Sequence, residues 1–550
     1  MSPNSDASMH APPPGPGGGK GPPGAGESIS RSAGTIGLAT LISRIVGFGR
    51  DILIARAFGA GLAADAFFVA FAIPSLFRHL FMEGALSTAF IPVYTEVRAQ
   101  GGEGAARRFS GGITLLMGAF LAALCLLGMV YAEPLVRLLA PGFSRSEEKL
   151  ALTVRLTRLM FPFLFFIGLW AIAAGVLNAA RRFFVPALTP AVQNLAMIGA
   201  LLAAGALAAG EAGVFWLAWA VVIGGALQFA FQLPLMSRLG VLPLLAAPWT
   251  APGMGRCLAL MGPAVLSAAI FHLNTLVDRW LASFLAEGSI SYLYYANRLV
   301  QFPHGILSLA VTAAAFPILS DRAAEGRRTG VPGDDWRNTL AEAGRLTLYI
   351  TLPAAFGLLA LARPIMEVLF ERGAFGPEQS AASAAALRAY ALGLVFFGMV
   401  RLLSAAFHAR LNTRYPVRCA NIAIASNVVL SVALMYPLGY VGLALATSLS
   451  SLLNAALLVR GMRDLAREWP GEDLWRTARR LLPPAAAVGA AAYAAYLAFW
   501  PAQASSLARA LFLGAELLAA AGAYAWLCSR FAPESAFSLR ELLGPRRRRT

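Results

Sequence analysis

Four ionisable side chains precede the terminal Glu96 in an otherwise apolar stretch, DAFFVAFAIPSLFRHLFMEGALSTAFIPVYTE (65–96). They are Asp65, Arg78, His79 and Glu83, and on a helix His79 and Glu83 would be neighbours one turn apart. A charged side chain at bilayer depth costs roughly 2.5 to 3.5 kcal/mol, so it normally faces a water-filled cavity or a partner. The stretch therefore predicts a polar site inside a membrane-embedded helix.

The preceding stretch, LATLISRIVGFGRDILIARAFG (38–59), repeats this pattern with Arg44, Arg50 and Asp51. Arg44 and Asp51 are seven residues apart and share a helix face, whereas Arg50 lies about 100° round from Asp51. The two helices together carry more cations than anions, and arginine binds phosphate or pyrophosphate through paired donors. We expect an anion site between them. The alternative is internal ion pairing that only holds the helices together.

The composition excludes an ordinary soluble domain, because 58% of the 550 residues are hydrophobic, 13% are charged and mean hydropathy is +0.64. The net charge of +17 comes from arginines in short connections between apolar runs, so nucleic acid is not an expected partner. The four cysteines have no CxxC spacing, and no phosphate-binding loop is present. We predict no cofactor and no firm metal site, so any transport must use Na⁺ or H⁺ coupling or the membrane potential.

Apolar stretches long enough to cross a bilayer recur along the chain after the first 32 residues. The fourteen stretches are 33–58, 63–96, 110–132, 150–179, 184–209, 213–237, 255–285, 289–320, 339–362, 380–410, 415–437, 440–460, 477–499 and 505–529. The predicted fold class is therefore an all-α polytopic membrane protein with about fourteen transmembrane helices.

Arginine distribution predicts the orientation of these helices. The connections after even-numbered helices carry about twenty cationic residues, and those after odd-numbered helices carry about five. Because cytoplasmic connections are enriched in arginine and lysine, both termini are predicted to be cytoplasmic.

Three segments recur in the same order about 225 to 230 residues later, as in transporters built from repeats. They are ALSTAFIPVYTE with VTAAAFPILSD (311–321), PLVRLLAPGF with PIMEVLFERGAF (364–375), and NAARRFFVP with HARLNTRYP (408–416). A repeat of six helices keeps its orientation, so two six-helix lobes are expected to face each other across a pseudo-two-fold axis, with a substrate site between them.

These patterns divide the chain into five segments. They are a disordered Pro/Gly-rich cytoplasmic tail (1–32), an N-lobe of helices 1–6 (33–245), a C-lobe of helices 7–12 (246–470), the appended helices 13–14 (471–530) and a basic cytoplasmic tail (531–550).

The C-lobe has polar residues of its own at bilayer depth. By the repeat, Arg298 on helix 8 should approach the same central space as Arg50 and Arg78. Asp278 and Arg279 are adjacent on helix 7 and are expected to point apart. Oxygen-bearing side chains on helices 7, 11 and 12 could form a cation site, although such groups usually just bond neighbouring helices. They are Asp278, Asn427, Ser431 and Thr447.

Two segments and the fourteen-helix layout resemble the MurJ (MviN) family of lipid II flippases, within the MOP exporter superfamily. The segments are SRIVGFGRDILIARAFGAGLAADAFFVAFAIPSLFRHLFMEGALSTAFIPVYTE (43–96) and SYLYYANRLVQFPHGIL (291–307). The resemblance implies a transporter, not an enzyme. It would move lipid II, an undecaprenyl-pyrophosphate-linked peptidoglycan precursor, from the inner to the outer leaflet of the bacterial cytoplasmic (inner) membrane by alternating access. Membrane lipids and the cell-wall synthesis machinery would be its other partners.

The resemblance also implies a set of cavity-lining residues, with the arginines holding the pyrophosphate and an apolar groove to helices 13 and 14 holding the polyprenyl tail. The implied residues are Arg50, Asp51, Arg78, Glu83 and Arg298, with Arg44 and Asp65 nearby. The chain departs from the family where it has His79 in place of a frequent second arginine, and Asn297 and Gln301 in place of frequent acids. The loss of the two carboxylates at 297 and 301 makes the cavity more cationic, and His79 adds a group that titrates near neutral pH.

Two alternatives remain open on the sequence. Another MOP-type exporter would carry a different polyprenyl-linked oligosaccharide or a cationic drug, although a drug exporter should favour buried acids over arginines. A membrane glycosyltransferase acting on the same lipid would need catalytic carboxylates on an extracytoplasmic connection, where the acidic residues form no evident constellation.

Overall fold

The computed structural model describes residues 25–78, 87–207, 212–329, 334–463, 469–501 and 503–531, with side chains throughout except at 25–36, 87–88, 264–276, 306–307 and 309. Every regular element in these ranges is helical. This is expected for apolar segments in a bilayer, where a helix satisfies its own backbone hydrogen bonds.

Nine α-helices build the described part of the predicted N-lobe. They are α1 (Ala25–Phe58), α2 (Leu62–Arg78), α3 (Ser87–Val130), α4 (Ala132–Leu139), α5 (Glu147–Met160), α6 (Phe163–Ala179), α7 (Phe184–Ala206), α8 (Gly213–Ala230) and α9 (Leu233–Arg238). α3 contains the end of predicted helix 2 and all but the last residues of predicted helix 3. Gly102, with φ 73° and ψ −175°, kinks α3 between these two parts.

The predicted C-lobe and the appended helices contribute ten more α-helices. They are α10 (Met254–Ala282), α11 (Ser289–Pro303), α12 (Leu309–Thr329), α13 (Asp334–Phe370), α14 (Pro377–Ala391), α15 (Leu394–Ala409), α16 (Arg414–Leu438), α17 (Tyr440–Arg463), α18 (Gly471–Phe499) and α19 (Ser506–Phe531). A single π-helical turn, His304–Ser308, joins α11 to α12 directly after Pro303. Proline is a common cause of such breaks because it lacks an N–H and clashes with the preceding turn.

The predicted membrane spans agree with these helices. In the described ranges nine helices are long and apolar enough to cross a membrane, and the pair α14 and α15, bent by 41°, would make a tenth. The four remaining predicted spans correspond to α1, α2, α10 and α11–α12, which carry most of the predicted site charges. The prediction of an all-α polytopic membrane protein is confirmed.

Packing within each lobe is mainly between neighbouring helices. In the N-lobe α1 packs on α7, α2 on α5 and α3 on α6, and in the C-lobe α13 packs on α14 and α15, and α16 on α17. The lobes meet where α1 touches α13, α2 touches α11 and α3 touches α10. The appended α18 and α19 both pack against α13.

Backbone connections close one end of the interface between the lobes. We call this the sealed end: the connections α1–α2, α4–α5, α10–α11 and α13–α14 meet there. The hydrogen bonds across it include Ala60 N to Gln379 Oε1 (2.9 Å), Leu62 N to Glu287 Oε1 (2.7 Å), Ala374 N to Arg56 O (2.9 Å) and Gly142 N to Ser283 Oγ (3.1 Å).

Two glycines let the lobes approach this closely. A Cβ at Gly142 would lie 2.1 Å from the carbonyl oxygen of Ser283, and one at Gly59, where φ is +64°, would lie 2.5 Å from that of Ala374. Neither position can accept a side chain without movement of the opposite lobe, because the nearest atoms belong to backbone.

Gly142→Val is therefore expected to push the lobes apart at the sealed end. In the purified chain, Ala60→Cys would report this opening, because Ala60 is buried and the four native cysteines are buried as well. Maleimide labelling of this cysteine should become at least about tenfold faster with Gly142→Val, as expected for a shift of about 1.4 kcal/mol towards the open form. Gly376→Val is the matched control, since a Cβ at Gly376 meets no atom within 4 Å. Equal labelling in both variants would contradict the prediction.

Candidate functional site

Asp51 lies at the contact between the two lobes and is 0% exposed. Its Oδ1 accepts hydrogen bonds from Arg50, with Nε at 3.0 Å, and from the Tyr294 hydroxyl at 3.1 Å. Its Oδ2 forms an ion pair with Nε of Arg298 at 2.7 Å. One carboxylate of the N-lobe thus holds a guanidinium from each lobe.

Small and polar neighbours bring these groups together. Asn194 on α7 accepts a hydrogen bond from Nη1 of Arg50 at 3.0 Å, which fixes the direction of that side chain. A Cβ on Gly47, one turn before Arg50, would lie 3.0 Å from both Nη2 of Arg298 and Nδ2 of Asn194. The glycine therefore gives Arg298 room to reach α1 from the opposite lobe.

The charges of this group favour an anionic ligand. Two guanidinium groups share one carboxylate, so one positive charge remains uncompensated among the described residues. The side chain of Arg298 is 33% exposed, against 11% for Arg50, so Arg298 is the more accessible cation. A phosphate or carboxylate could replace Asp51 as its partner through strong, charge-assisted hydrogen bonds.

A cavity of about 320 Å³ opens beside Arg298 in the C-lobe. Its polar lining comprises Asp278, Arg279, Tyr294, Asn297, Arg298, Gln301, Tyr390 and Thr447. Asp278 and Arg279, which were expected to point apart, both line this cavity.

The structure brings part of the predicted cation site together. Nδ2 of Asn427 donates to Oγ1 of Thr447 at 3.4 Å, and Thr447 shares the cavity with Asp278. Ser431, one turn along α16 from Asn427, is fully buried, and its hydroxyl has no hydrogen-bond partner among the described residues. The described part of the chain contains no group of three His, Cys, Asp or Glu side chains suited to a metal ion. The cation site stays a prediction.

Asp65 lies at the sealed end, apart from the Asp51 group. Its carboxylate accepts hydrogen bonds from the backbone N–H groups of Gly288 (2.8 Å) and Ser291 (3.0 Å) and from the Ser291 hydroxyl (2.7 Å). It also pairs with Lys149 at 2.8 Å. These groups surround the start of α11, where a carboxylate is favoured by free N–H groups and the helix dipole. Arg298 follows Ser291 by seven residues, about 10 Å along α11.

Four predicted site residues remain: Arg44, Arg78, His79 and Glu83. Arg44 lies beside the π-helical turn, where a Cβ on Gly305 would be 2.7 Å from its Nη1. Arg78 is the last residue of α2. His79 and Glu83 lie outside the described residues.

Sequence reasoning missed Lys149, Asn194 and Tyr294. Tyr294 stands four residues before Arg298, so helical spacing could have placed the two on one face. The sequence contains only two lysines, Lys20 and Lys149, and its other basic side chains are almost all arginines. This rarity could have drawn attention to Lys149. Asn194 gives no such signal, because amides in membrane helices commonly bond neighbouring helices.

Comparison with known proteins identifies the family. The sequence model of the family described as Lipid II flippase MurJ matches residues 54–512. A probable lipid II flippase MurJ of Vibrio cholerae is 35% identical over 84% of this chain and 89% of its own length. Lipid II flippase MurJ of Burkholderia cenocepacia is 34% identical over 86% of this chain and 90% of its own length. The chain belongs to the MurJ family of lipid II flippases.

Solved structures agree with the MurJ assignment. A lipid II flippase MurJ in an inward closed conformation superposes with a TM-score of 0.75 at 28% identity, covering 91% of this chain and 99% of the other. An inward-facing multidrug resistance MATE transporter of the MOP superfamily superposes with a TM-score of 0.60 at 13% identity, covering 78% of this chain and 98% of the other. This superposition shows a shared fold. This MurJ-family chain is therefore a multi-pass membrane protein of about fourteen helices.

The MurJ resemblance assigns the polyprenyl tail to a groove beside helices 13 and 14, and this assignment stays a prediction. A cavity of about 430 Å³ lies between α13, α18 and α19. Its lining is almost entirely apolar and includes Pro353, Leu361, Gly489 and Leu517. Pro303, the last residue of α11, also lines it, so the groove begins close to the π-helical turn.

Proposed function

We propose that this chain flips lipid II from the inner to the outer leaflet of the bacterial cytoplasmic membrane. The observation that carries the proposal is the ion pair between Asp51 and Arg298, which joins the two lobes at 2.7 Å and, with Arg50 on the same carboxylate, leaves a net positive charge. Such a group suits the pyrophosphate of a polyprenyl-linked precursor. Relatives that bear the name lipid II flippase support this cargo.

Both termini are cytoplasmic in this proposal, and the sealed end faces the outside. The arginine-rich connections support the orientation, since they all lie at the opposite end of the bundle from the sealed connections. The described conformation is then closed to the outside, and cargo would enter from the cytoplasmic leaflet.

The cargo itself can drive the change of conformation. A pyrophosphate that binds Arg298 competes with Asp51, and loss of the ion pair weakens the contact between the lobes. Rocking of the lobes would then open the sealed end and present the head group to the outside. The cargo biases the equilibrium because it binds the two states with different affinities.

The apolar groove between α13, α18 and α19 would hold the polyprenyl tail during this movement, because its lining matches lipid. The direction of transport would come from Na⁺ or H⁺ coupling or from the membrane potential. For Na⁺ coupling, Asp278, Asn427, Ser431 and Thr447 would supply oxygen ligands. The cell-wall synthesis machinery would supply the cargo and consume it after flipping.

Depletion of the protein tests the proposal. The amount of lipid-linked peptidoglycan precursor accessible at the outer face of cells should fall on depletion and recover with the wild-type chain. Arg78→Ala should reach the membrane in normal amounts without restoring outer-face precursor, since this arginine is expected to bind the pyrophosphate. An unchanged or increased outer-face pool on depletion would contradict flipping and favour another cargo or a step after flipping.

A further inference from the structure

A second pair of arginines lies between the lobes, further from the sealed end than Asp51. Arg44 comes from α1 and Arg401 from α15, and both side chains are partly buried. Both lie against the π-helical turn His304–Ser308: Nη1 of Arg44 lies beside Gly305, and Arg401 stands one turn after Phe397, whose ring contacts His304. The cluster therefore concentrates positive charge at one place.

Within the part of the chain that the structure describes, this cluster differs from the Asp51 group in having no acid. Among the residues that the structure describes, no carboxylate forms an ion pair with Arg44 or Arg401. Two like charges at bilayer depth are unfavourable unless an anion or water compensates them. Arg50 and Arg298 have such compensation in Asp51, whereas Arg44 and Arg401 would obtain it from a ligand.

The π-helical turn shapes the cluster. Such turns are rare and frequently occur at functional sites. Gly305 lies so close to Arg44 that its missing Cβ would be 2.7 Å from Nη1. The ring of His304 meets Phe397 edge-on, with centroids 5.8 Å apart, and its Nδ1 has no hydrogen-bond partner among the described residues. The turn therefore places the imidazole of His304 and the side-chain-free backbone of Gly305 beside the two arginines.

We propose that Arg44, Arg401 and His304 form a second oxyanion subsite, which binds a carboxylate or phosphate group of the cargo. The inference rests on the proposed function and assigns roles to Arg401 and His304. Arg44 precedes Asp51 by seven residues, which corresponds to about 10 Å along α1. A pyrophosphate held by Arg298 is shorter than this distance. The two sources of the second oxyanion are therefore a carboxylate of the stem peptide and a phosphate that moves between the subsites.

Binding measurements on the full chain in lipid nanodiscs test the subsite with two probes, lipid II and undecaprenyl pyrophosphate, which has no peptide. Arg401→Gln should weaken lipid II binding about tenfold or more, as expected for loss of a charge-assisted hydrogen bond. A loss confined to lipid II would identify a peptide carboxylate, and a loss with both probes would identify a phosphate. Arg388→Gln is the matched control: it removes a half-buried arginine of α14 that donates to the carbonyl of Leu359 and should leave both affinities unchanged.

Gly305→Ala provides a second variant in case Arg401→Gln does not fold, because the new methyl group would displace the guanidinium of Arg44 without removing a charge. It should reduce affinity for the same probe. Wild-type affinity of both variants for both probes would overturn the subsite while leaving flipping intact. Failure of the wild-type chain to bind lipid II would instead count against the proposed function.

Discussion

Arg298→Ala is expected to abolish complementation of a strain depleted of this protein. The substitution removes the most accessible guanidinium of the Asp51 group and leaves Oδ2 of Asp51 without its ion-pair partner. Breaking one side of a buried ion pair typically costs about 3 to 5 kcal/mol, and loss of a cargo contact adds to this. We expect a transport rate at least about 100-fold lower. Growth under depletion and the outer-face pool of lipid-linked precursor measure the effect, with immunoblots to verify membrane insertion.

Two controls define what Arg298 contributes. Arg298→Lys keeps the charge but loses the planar fork, so partial activity is expected. Arg322→Ala removes an exposed arginine that pairs with Asp335 at 2.6 Å, and exposed pairs contribute little, so full complementation is expected. Full growth with Arg298→Ala would remove this residue from the cargo site.

A double substitution separates cargo binding from simple ion pairing. Asp51→Asn alone leaves both Arg50 and Arg298 unpaired. If Arg298 only holds the lobes together through Asp51, adding Arg298→Gln removes one of these two unpaired cations and should raise activity above that of Asp51→Asn. If Arg298 binds the cargo, the double variant should stay as inactive as Arg298→Ala. The second outcome is expected because the Asp51 group carries an excess positive charge.

The fold could be predicted from the sequence because bilayer thickness fixes the length of an apolar helix. Helix boundaries were less predictable. Predicted helix 2 was one span over 63–96, of which the described residues 63–78 belong to α2 and 87–96 to α3. Apolar length alone cannot tell where one helix passes into the next, because the break at Gly102 depends on a backbone conformation.

The central charges could also be predicted, since Arg50, Asp51 and Arg298 stand out in apolar sequence and the repeat places their helices together. Asp65 shows the limit of this reasoning. Its charge in an apolar stretch and the family resemblance suggested a place near the central cavity, but its partners Ser291 and Lys149 belong to distant segments. No local pattern indicates which segments meet at the end of a bundle.

The partners of Asp65 make it the main electrostatic link across the sealed end. It is 1% exposed and joins α2 and the start of α5 to the first turn of α11. An aspartate in this position can accept hydrogen bonds from two backbone N–H groups and still neutralise the charge of Lys149. The carboxylate thus joins the lobes through its hydrogen bonds from Gly288 and Ser291, and Lys149 of its own lobe balances its charge, so loss of the carboxylate charge leaves Lys149 without an ion-pair partner.

Asp65→Asn is accordingly expected to open the sealed end. Asparagine keeps the shape, but its single amide oxygen can accept from Ser291 or from Gly288 and not from both, and it leaves Lys149 as an uncompensated buried cation. A cost of about 3 to 5 kcal/mol in the closed state corresponds to a shift of at least about 100-fold towards open conformations. Maleimide labelling of Ala60→Cys in the purified chain should accelerate accordingly.

Two further variants make this test specific. Glu287→Gln is the matched control, because its amide oxygen can still accept from the backbone N–H of Leu62 and Glu287 has no ion-pair partner among the described residues. It should label like the parent chain. Adding Lys149→Met to Asp65→Asn removes the unpaired charge and should restore much of the protection, since replacing both partners of a buried pair is often neutral. If the double variant labels as fast as Asp65→Asn alone, the lost charge pair is not what holds the seal, and the contacts at Gly142 and Gly59 carry it instead.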